Sequence, residues 1–123
     1  GMARRVALAR AMVLDPDLLL YDEPFSGLDP ISMGMVLRLI KMNNDVLGVT
    51  SVVVSHDVEE INRIADYCYV VSAGKVIGAG TPAELAQSDS ALIRQFLSGG
   101  ADGPVPFHYP APPYRDQLLS GPR

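Results

Sequence analysis

Helical spacings of apolar residues alternate with short, continuous apolar runs along this chain. Met2 to Leu14 carries Val6, Ala9 and Val13 at helical intervals, with Arg4, Arg5 and Arg10 on other faces. Asp15-Pro16 ends that helix, because a residue before proline is pushed out of the helical region. Leu18 to Tyr21 is an uninterrupted apolar run between turn signals, the pattern of a strand buried on both faces of a parallel sheet. Pro24 cannot donate to a ladder and stops it. Asp29-Pro30 then reads as a cap and first helical residue. The helix it opens runs to about Leu47, with Val36, Leu39, Ile40, Asn43 and Leu47 roughly on one face and Gly48 as its C-terminal cap. Val49 to Ser55 is a second strand, β-branched at its centre. Asp57 and Glu60 have the spacing of a capping box for a helix with Val58, Ile61 and Ile64 on its buried side.

Tyr67 to Ser72 predicts a third strand. Ala73-Gly74 predicts a tight turn into a fourth, Lys75 to Ala79, so the two form a hairpin. Thr81-Pro82-Ala83-Glu84 repeats the cap, proline and glutamate signature of a helix start. A short helix to Gln87 and another from Ser90 to Ser98 follow, closed by Gly99-Gly100. The alternation of strands and helices is that of an α/β fold with a mainly parallel sheet and a C-terminal hairpin. Right-handed crossovers place the carboxyl ends of such strands on one rim, where ligands bind. Asp22, Glu23 and His56 therefore share that rim.

The pattern changes near residue 101. Residues 1–100 form the periodic part, and 101–123 read as an extended, proline-rich tail without periodicity. Phe107, Tyr109 and Tyr114 stand between its prolines. Such aromatics suit a segment that docks on a partner, against the alternative of a loose terminus.

Composition narrows the function. A chain of 123 residues, 48% hydrophobic, is one domain at most and has enough apolar residues for a core. A net charge of −4 argues against nucleic acid as a partner. Cys68 is the single cysteine and sits in an apolar run, as a small buried hydrophobe in a reducing compartment would. No apolar run approaches the length of a membrane span, the start lacks a secretory pattern, and there is no internal repeat.

Asp22-Glu23 leaving a buried strand has two readings. It can mark where a strand meets solvent. It can also hold Mg²⁺ through one carboxylate and polarise a water through the other. His56 at the same rim can be a general base, a phosphate contact or a bystander.

At these residues the chain resembles the ABC-type ATPases. YDEP at Tyr21 to Pro24 resembles their Walker B strand with its catalytic glutamate, SGLD at Ser26 to Asp29 their D-loop, and VVVSHD at Val52 to Asp57 their switch-histidine strand. GKVIGAGTPAEL at Gly74 to Leu85 resembles the hairpin and helix that follow in transporter members. GMARRVALARAMVLDPDLLL at Gly1 to Leu20 is similar to the helix that begins within their signature motif. DEPFSGLDPISMG, LGVTSVVVSHDVEEI and the tail phrase ADGPVPFHYPA look like the ATPase subunits of Mla-type, MCE-associated phospholipid transport systems.

The resemblance implies a fold and a set of roles. The fold is a partial P-loop NTPase core, lacking the phosphate-loop strand. Asp22 would help hold Mg²⁺, Glu23 would be the base that polarises water, and His56 would contact the γ-phosphate of ATP. Gly1, as the last glycine of the signature motif, would face that phosphate from a helix N-terminus. Ser26 and Asp29 would lie at the interface with a second ATPase subunit. Membrane permease subunits and a small regulatory subunit would complete the assembly, peripheral on the cytoplasmic face of the inner membrane. Ala101 onward would pack on the neighbouring ATPase subunit, with Phe107 and Tyr109 as anchors.

The sequence departs from the family in one large respect. It contains no GxxxxGK[ST] phosphate loop and no Gln-loop, and Gly1 is also what a cloning scar before Met2 leaves. The expectation is the C-terminal portion of an ATPase subunit, inactive alone, with strand Val49 to Val54 lacking a neighbour. Rival readings are a non-catalytic dimerisation remnant, a repair-type ABC ATPase fragment, and a receiver-type signalling domain. The last leaves SGLD and SHD unexplained.

Overall fold

A computed structural model describes residues 2–106 and 112–120. They form two compact units, Gly1–Asp66 and Tyr67–Arg123.

The first unit contains α1 (Met2–Met12), β1 (Leu18–Asp22), α2 (Pro30–Leu47), β2 (Thr50–Val54) and α3 (Val58–Ile64). β1 and β2 pair in parallel, from Leu18 opposite Thr50 to Asp22 opposite Val54. α2 starts where the sequence places it. The Asp29 carboxylate accepts from the Ile31 and Ser32 N–H groups, each at 3.0 Å, Pro30 follows, and Gly48 closes the helix at φ 67°. That left-handed value suits a residue without Cβ. The core of the unit is Phe25, Val36, Leu37 and Ile40, with Tyr21, Leu28, Met33, Val53, Ile61 and Ile64 packed around it.

The structure corrects several expectations here. β1 is buried on one face only: Leu19 is 6% exposed, whereas Leu20 is 73% exposed. Residues two apart in a strand share a face, so Leu18 and Leu20 stand with Val52 and Val54 on an open apolar surface. The opposite face is the one packed against α2 and α3. Among the described residues β2 pairs with β1 alone, which leaves it the open edge that the sequence predicts. On α1 Leu8 is half-buried, and together with the exposed Ala7 and Ala11 it borders a cavity of about 190 Å³ with Leu19, Leu20 and Val36. Val6 and Val13, expected on the apolar stripe, stay exposed. On α2, Leu37 replaces Leu47 in the buried stripe.

The second unit contains β3 (Cys68–Ser72), β4 (Lys75–Gly80), α4 (Pro82–Ala86), α5 (Ala91–Ser98) and α6 (Tyr114–Ser120). β3 and β4 form the expected antiparallel hairpin, bulged between Val70 and Val71. Its turn residues Ala73 and Gly74 both have positive φ, 47° and 72°, as a two-residue hairpin turn that follows the strand twist requires. Thr81 and Glu84 complete a full capping box on α4. Val70, Leu85 and Ile93 are buried, and Ile93 lies against Gly78, where an added Cβ would collide with its Cδ1.

The tail is not extended throughout: α6 is a helix within it. Pro113 can precede a helix but not continue one, its carbonyl accepts from the Asp116 N–H at 2.9 Å, and Arg115, Gln117, Leu118 and Leu119 are good helix formers. Phe107 and Tyr109 lie outside the described residues, as does Gly1. No helix among the described residues is long and apolar enough to cross a membrane.

Candidate functional site at the carboxyl rim

Parallel pairing brings the two polar strand ends together. After Asp22, the Glu23 N–H still reaches the Val54 carbonyl at 2.8 Å, one rung beyond the strand. The backbone then turns sharply, with Glu23 at φ 46°. A non-glycine residue takes that conformation at a cost, and persists there only where its surroundings hold it. Here the hold is visible on both sides. The ladder rung fixes the N–H, and Phe25, 1% exposed, plugs the following loop into the face of α2. The Ser26 N–H returns to the Glu23 carbonyl at 3.3 Å.

The turn directs the Glu23 carboxylate towards β2. Its Oε1 lies 2.9 Å from His56 Nδ1, and its Oε2 accepts from the Ser55 hydroxyl at 3.4 Å. Ser55 Oγ in turn accepts from the Asp57 N–H at 3.1 Å. The ligand atoms of Glu23, His56 and Asp57 all lie within 4.8 Å of one another. The pair is open to water: the His56 side chain is 71% exposed and that of Glu23 36%. The hydrogen bond to His56 holds the Glu23 carboxyl below the usual glutamate range. The same bond raises His56 above its ordinary value, and the charges of Glu23 and Asp57 add to the effect. Hydrogen bonds to the charged form of a carboxylate favour that form, and a nearby carboxylate favours imidazolium.

Of the residues singled out in the sequence, Glu23 and His56 are in contact. Asp22 ends β1 on the open face, exposed, beyond the ion pair, and borders the α1 cavity together with Arg5. Ser26 is exposed in the loop. Asp29 is occupied as the cap of α2, and its hydrogen bonds to Ser32 hold its carboxyl below the ordinary range. The expected capping box at Asp57 is absent: its side chain makes no cap hydrogen bond, and Glu60 pairs with Arg63 at 2.9 Å instead. Ser55 takes the Asp57 N–H, and a carboxylate oxygen of Asp57 lies within 4.8 Å of the Glu23 and His56 ligand atoms.

Sequence reasoning missed Ser55, which orients Glu23, and Phe25, which anchors the loop. The signal for both was adjacency, since Ser55 precedes His56 and Phe25 follows Asp22-Glu23-Pro24. The donors suit a hard cation. Mg²⁺ takes oxygen ligands and keeps several waters, and Asp22 offers an exposed carboxylate outside the Glu23–His56 pair.

No family model matches the chain. It is 58% identical over 119 residues to the intermembrane phospholipid transport system ATP-binding protein MlaF of Haemophilus influenzae, a match covering 97% of this chain. The chain spans 45% of that relative's length. Among solved structures it resembles cbiO1 of Clostridium perfringens, part of the ABC transporter complex cbiONQ, with a TM-score of 0.64 and 31% identity. That likeness covers 76% of this chain and 37% of the other. A second is the ATP-binding cassette MJ0796, a dimer in a post-hydrolysis state with ADP and Pi, at TM-score 0.59 and 30% identity over 64% of this chain and 34% of that one. The MlaF match covers nearly the whole chain, and the shared fold is that of ATP-binding cassettes, so this chain belongs to the ABC ATPase family and corresponds to a C-terminal portion of MlaF-type subunits.

Proposed function

We propose that these residues supply the hydrolytic half of an ATP site in an ABC subunit that powers phospholipid transport between bacterial membranes. The observation that carries this reading is the 2.9 Å pairing of Glu23 with His56 at the carboxyl rim of two parallel strands. Phosphoryl transfer needs little covalent help from the protein; it needs placed groups and balanced charge.

Each side chain has a role that its position allows. Glu23 is the base or water-polarising group, kept ionised by His56. His56, whose pKa is raised by its hydrogen bond to Glu23, pairs with Glu23 through Nδ1 and has Nε2 as a second ring nitrogen suited to a terminal phosphate oxygen. Asp22 would hold Mg²⁺, whose charge would be shared with the outer phosphates. Ser55 fixes the second oxygen of Glu23. Ser26 and Asp29 sit on the loop proposed to face a second ATPase subunit. Asp29 contributes there by capping α2, which keeps the loop in place.

The partners are a second ATPase subunit, permease subunits, and a small regulatory subunit, with the assembly peripheral on the inner face of the cytoplasmic membrane. The 123 residues alone lack a GxxxxGK[ST] sequence, so they are not expected to bind MgATP. Titration calorimetry tests that, and micromolar binding would refute it.

The test of this reading is a chimera in which these residues replace the matching part of the Haemophilus influenzae MlaF protein. It should hydrolyse ATP, and Glu23→Gln should abolish most of that activity while leaving nucleotide binding intact.

A further inference from the structure

We propose that Gln95 is a clasp for the C-terminal tail: its carboxamide takes the place of a neighbouring strand and holds 100–105 as a fixed extension of α5.

The contacts are those of a sheet bridge made by a side chain. The Val105 N–H donates to Gln95 Oε1 at 2.9 Å, and Gln95 Nε2 donates to the Val105 carbonyl at 2.7 Å. Both backbone groups of one residue are thus satisfied by one amide, as they would be by a paired strand. The second Nε2 hydrogen goes to the Gly100 carbonyl at 3.1 Å. A carboxamide carries a donor group and an acceptor at peptide-like spacing, which a carboxylate, an ammonium or an alkyl group does not.

The chain around Gln95 is built to allow this. α5 ends at Gly99, φ 65°, whose N–H returns to the Gln95 carbonyl. The Gly100 N–H reaches the same carbonyl at 3.2 Å. The chain therefore doubles back over the helix end and passes Gln95. Gly103 leaves the space: a Cβ there would lie 2.5 Å from Gln95 Cδ and Oε1. Residues 101–106 are all exposed, so apolar burial does not hold them. The hydrogen bonds to Gln95 do. With the clasp closed, the start of the tail moves with α5, and a partner that docks on the tail has less chain to order.

Amide hydrogen exchange on the 123-residue chain tests this. The Val105 amide should be protected in the wild type and exchange roughly tenfold faster in Gln95→Leu, the expected effect of losing both bonds. Gly103→Ala should quicken it as much with Gln95 intact, because the new methyl group occupies the carboxamide's place. Added to Gln95→Leu, it should change nothing further. The β3–β4 amides serve as the control for folding. If Gln95→Leu disturbs them, Gly103→Ala, which lies outside the helix, decides alone. Free-chain exchange at Val105 in the wild type, or an unchanged rate in Gly103→Ala, would overturn the proposal.

Discussion

Glu23 meets three demands at one position. Its N–H extends the parallel ladder to Val54, its φ of 46° turns the chain out of the strand, and its carboxylate binds His56 and Ser55. The left-handed backbone is what lets a residue following Asp22 point towards β2. The His56 pairing is directly measurable. An NMR titration should place the His56 midpoint above its ordinary 6.5, and Glu23→Gln should bring it down, because a neutral amide removes both the charge and the charge-assisted bond. The pair also carries a pH dependence of stability. His56 has a raised folded pKa, so its contribution is full below about 6.5 and is lost as pH rises through the folded value. Glu23 has a lowered folded pKa, so its contribution is full above about 4.5 and is lost as pH falls through the folded value. The difference in thermal stability between wild type and Glu23→Gln should therefore be largest between those values and shrink on either side. Both side chains are open to solvent, so added salt should reduce it. A difference that does not vary with pH would show that the pair is not charged in solution.

At the scale of elements, local chemistry was legible and burial was not. Asp29-Pro30 and Thr81-Pro82 signal helix starts through groups within three residues of each other, and both caps form as the sequence predicts. The Ala73-Gly74 hairpin is equally local. Asp57 and Glu60 have the same spacing and fail, because Ser55 and Arg63 offer nearby competitors that spacing alone does not rank. Leu18 to Tyr21 reads as doubly buried because its composition is that of a central strand; which faces are covered depends on what packs there. α6 escaped notice because proline dominates the composition of the tail around a short helix. Two substitutions probe the elements directly. Thr81→Ala removes the α4 cap and should cost about 1 kcal/mol in urea unfolding. Gly78→Ala pushes a methyl group into Ile93, and overpacking of this kind costs about 1–3 kcal/mol. Ile93→Val made alongside it should recover part of that loss by clearing the Cδ1.

At the scale of the whole molecule, the surface left open is as informative as the core. Leu18, Leu20, Val52 and Val54 form an apolar face on a two-stranded sheet whose β2 edge has no partner among the described residues. Exposed edges of this kind recruit other chains. In solution the 123 residues should self-associate, and light scattering should show mass rising with concentration; a monomer throughout would contradict this. A further strand would pair at that edge, and only an element packed on the sheet would cover the face. The candidate rim residues could be singled out beforehand because YDEP, SGLD and VVVSHD resemble motifs of ABC-type ATPases. Their convergence was readable only through the parallel pairing of two strands. The roles expected of Gly1, Phe107 and Tyr109 fall on residues outside the described ones.

The most direct measurement is ATP turnover and binding by the MlaF chimera and by its Glu23→Gln variant. Hydrolysis should fall by roughly a hundredfold or more in the variant, the scale of a lost general base, while the affinity for MgATP stays within a few-fold. Turnover that survives Glu23→Gln, or a variant that loses binding and hydrolysis together, would mean that the carboxylate held by His56 is not the group that acts on water.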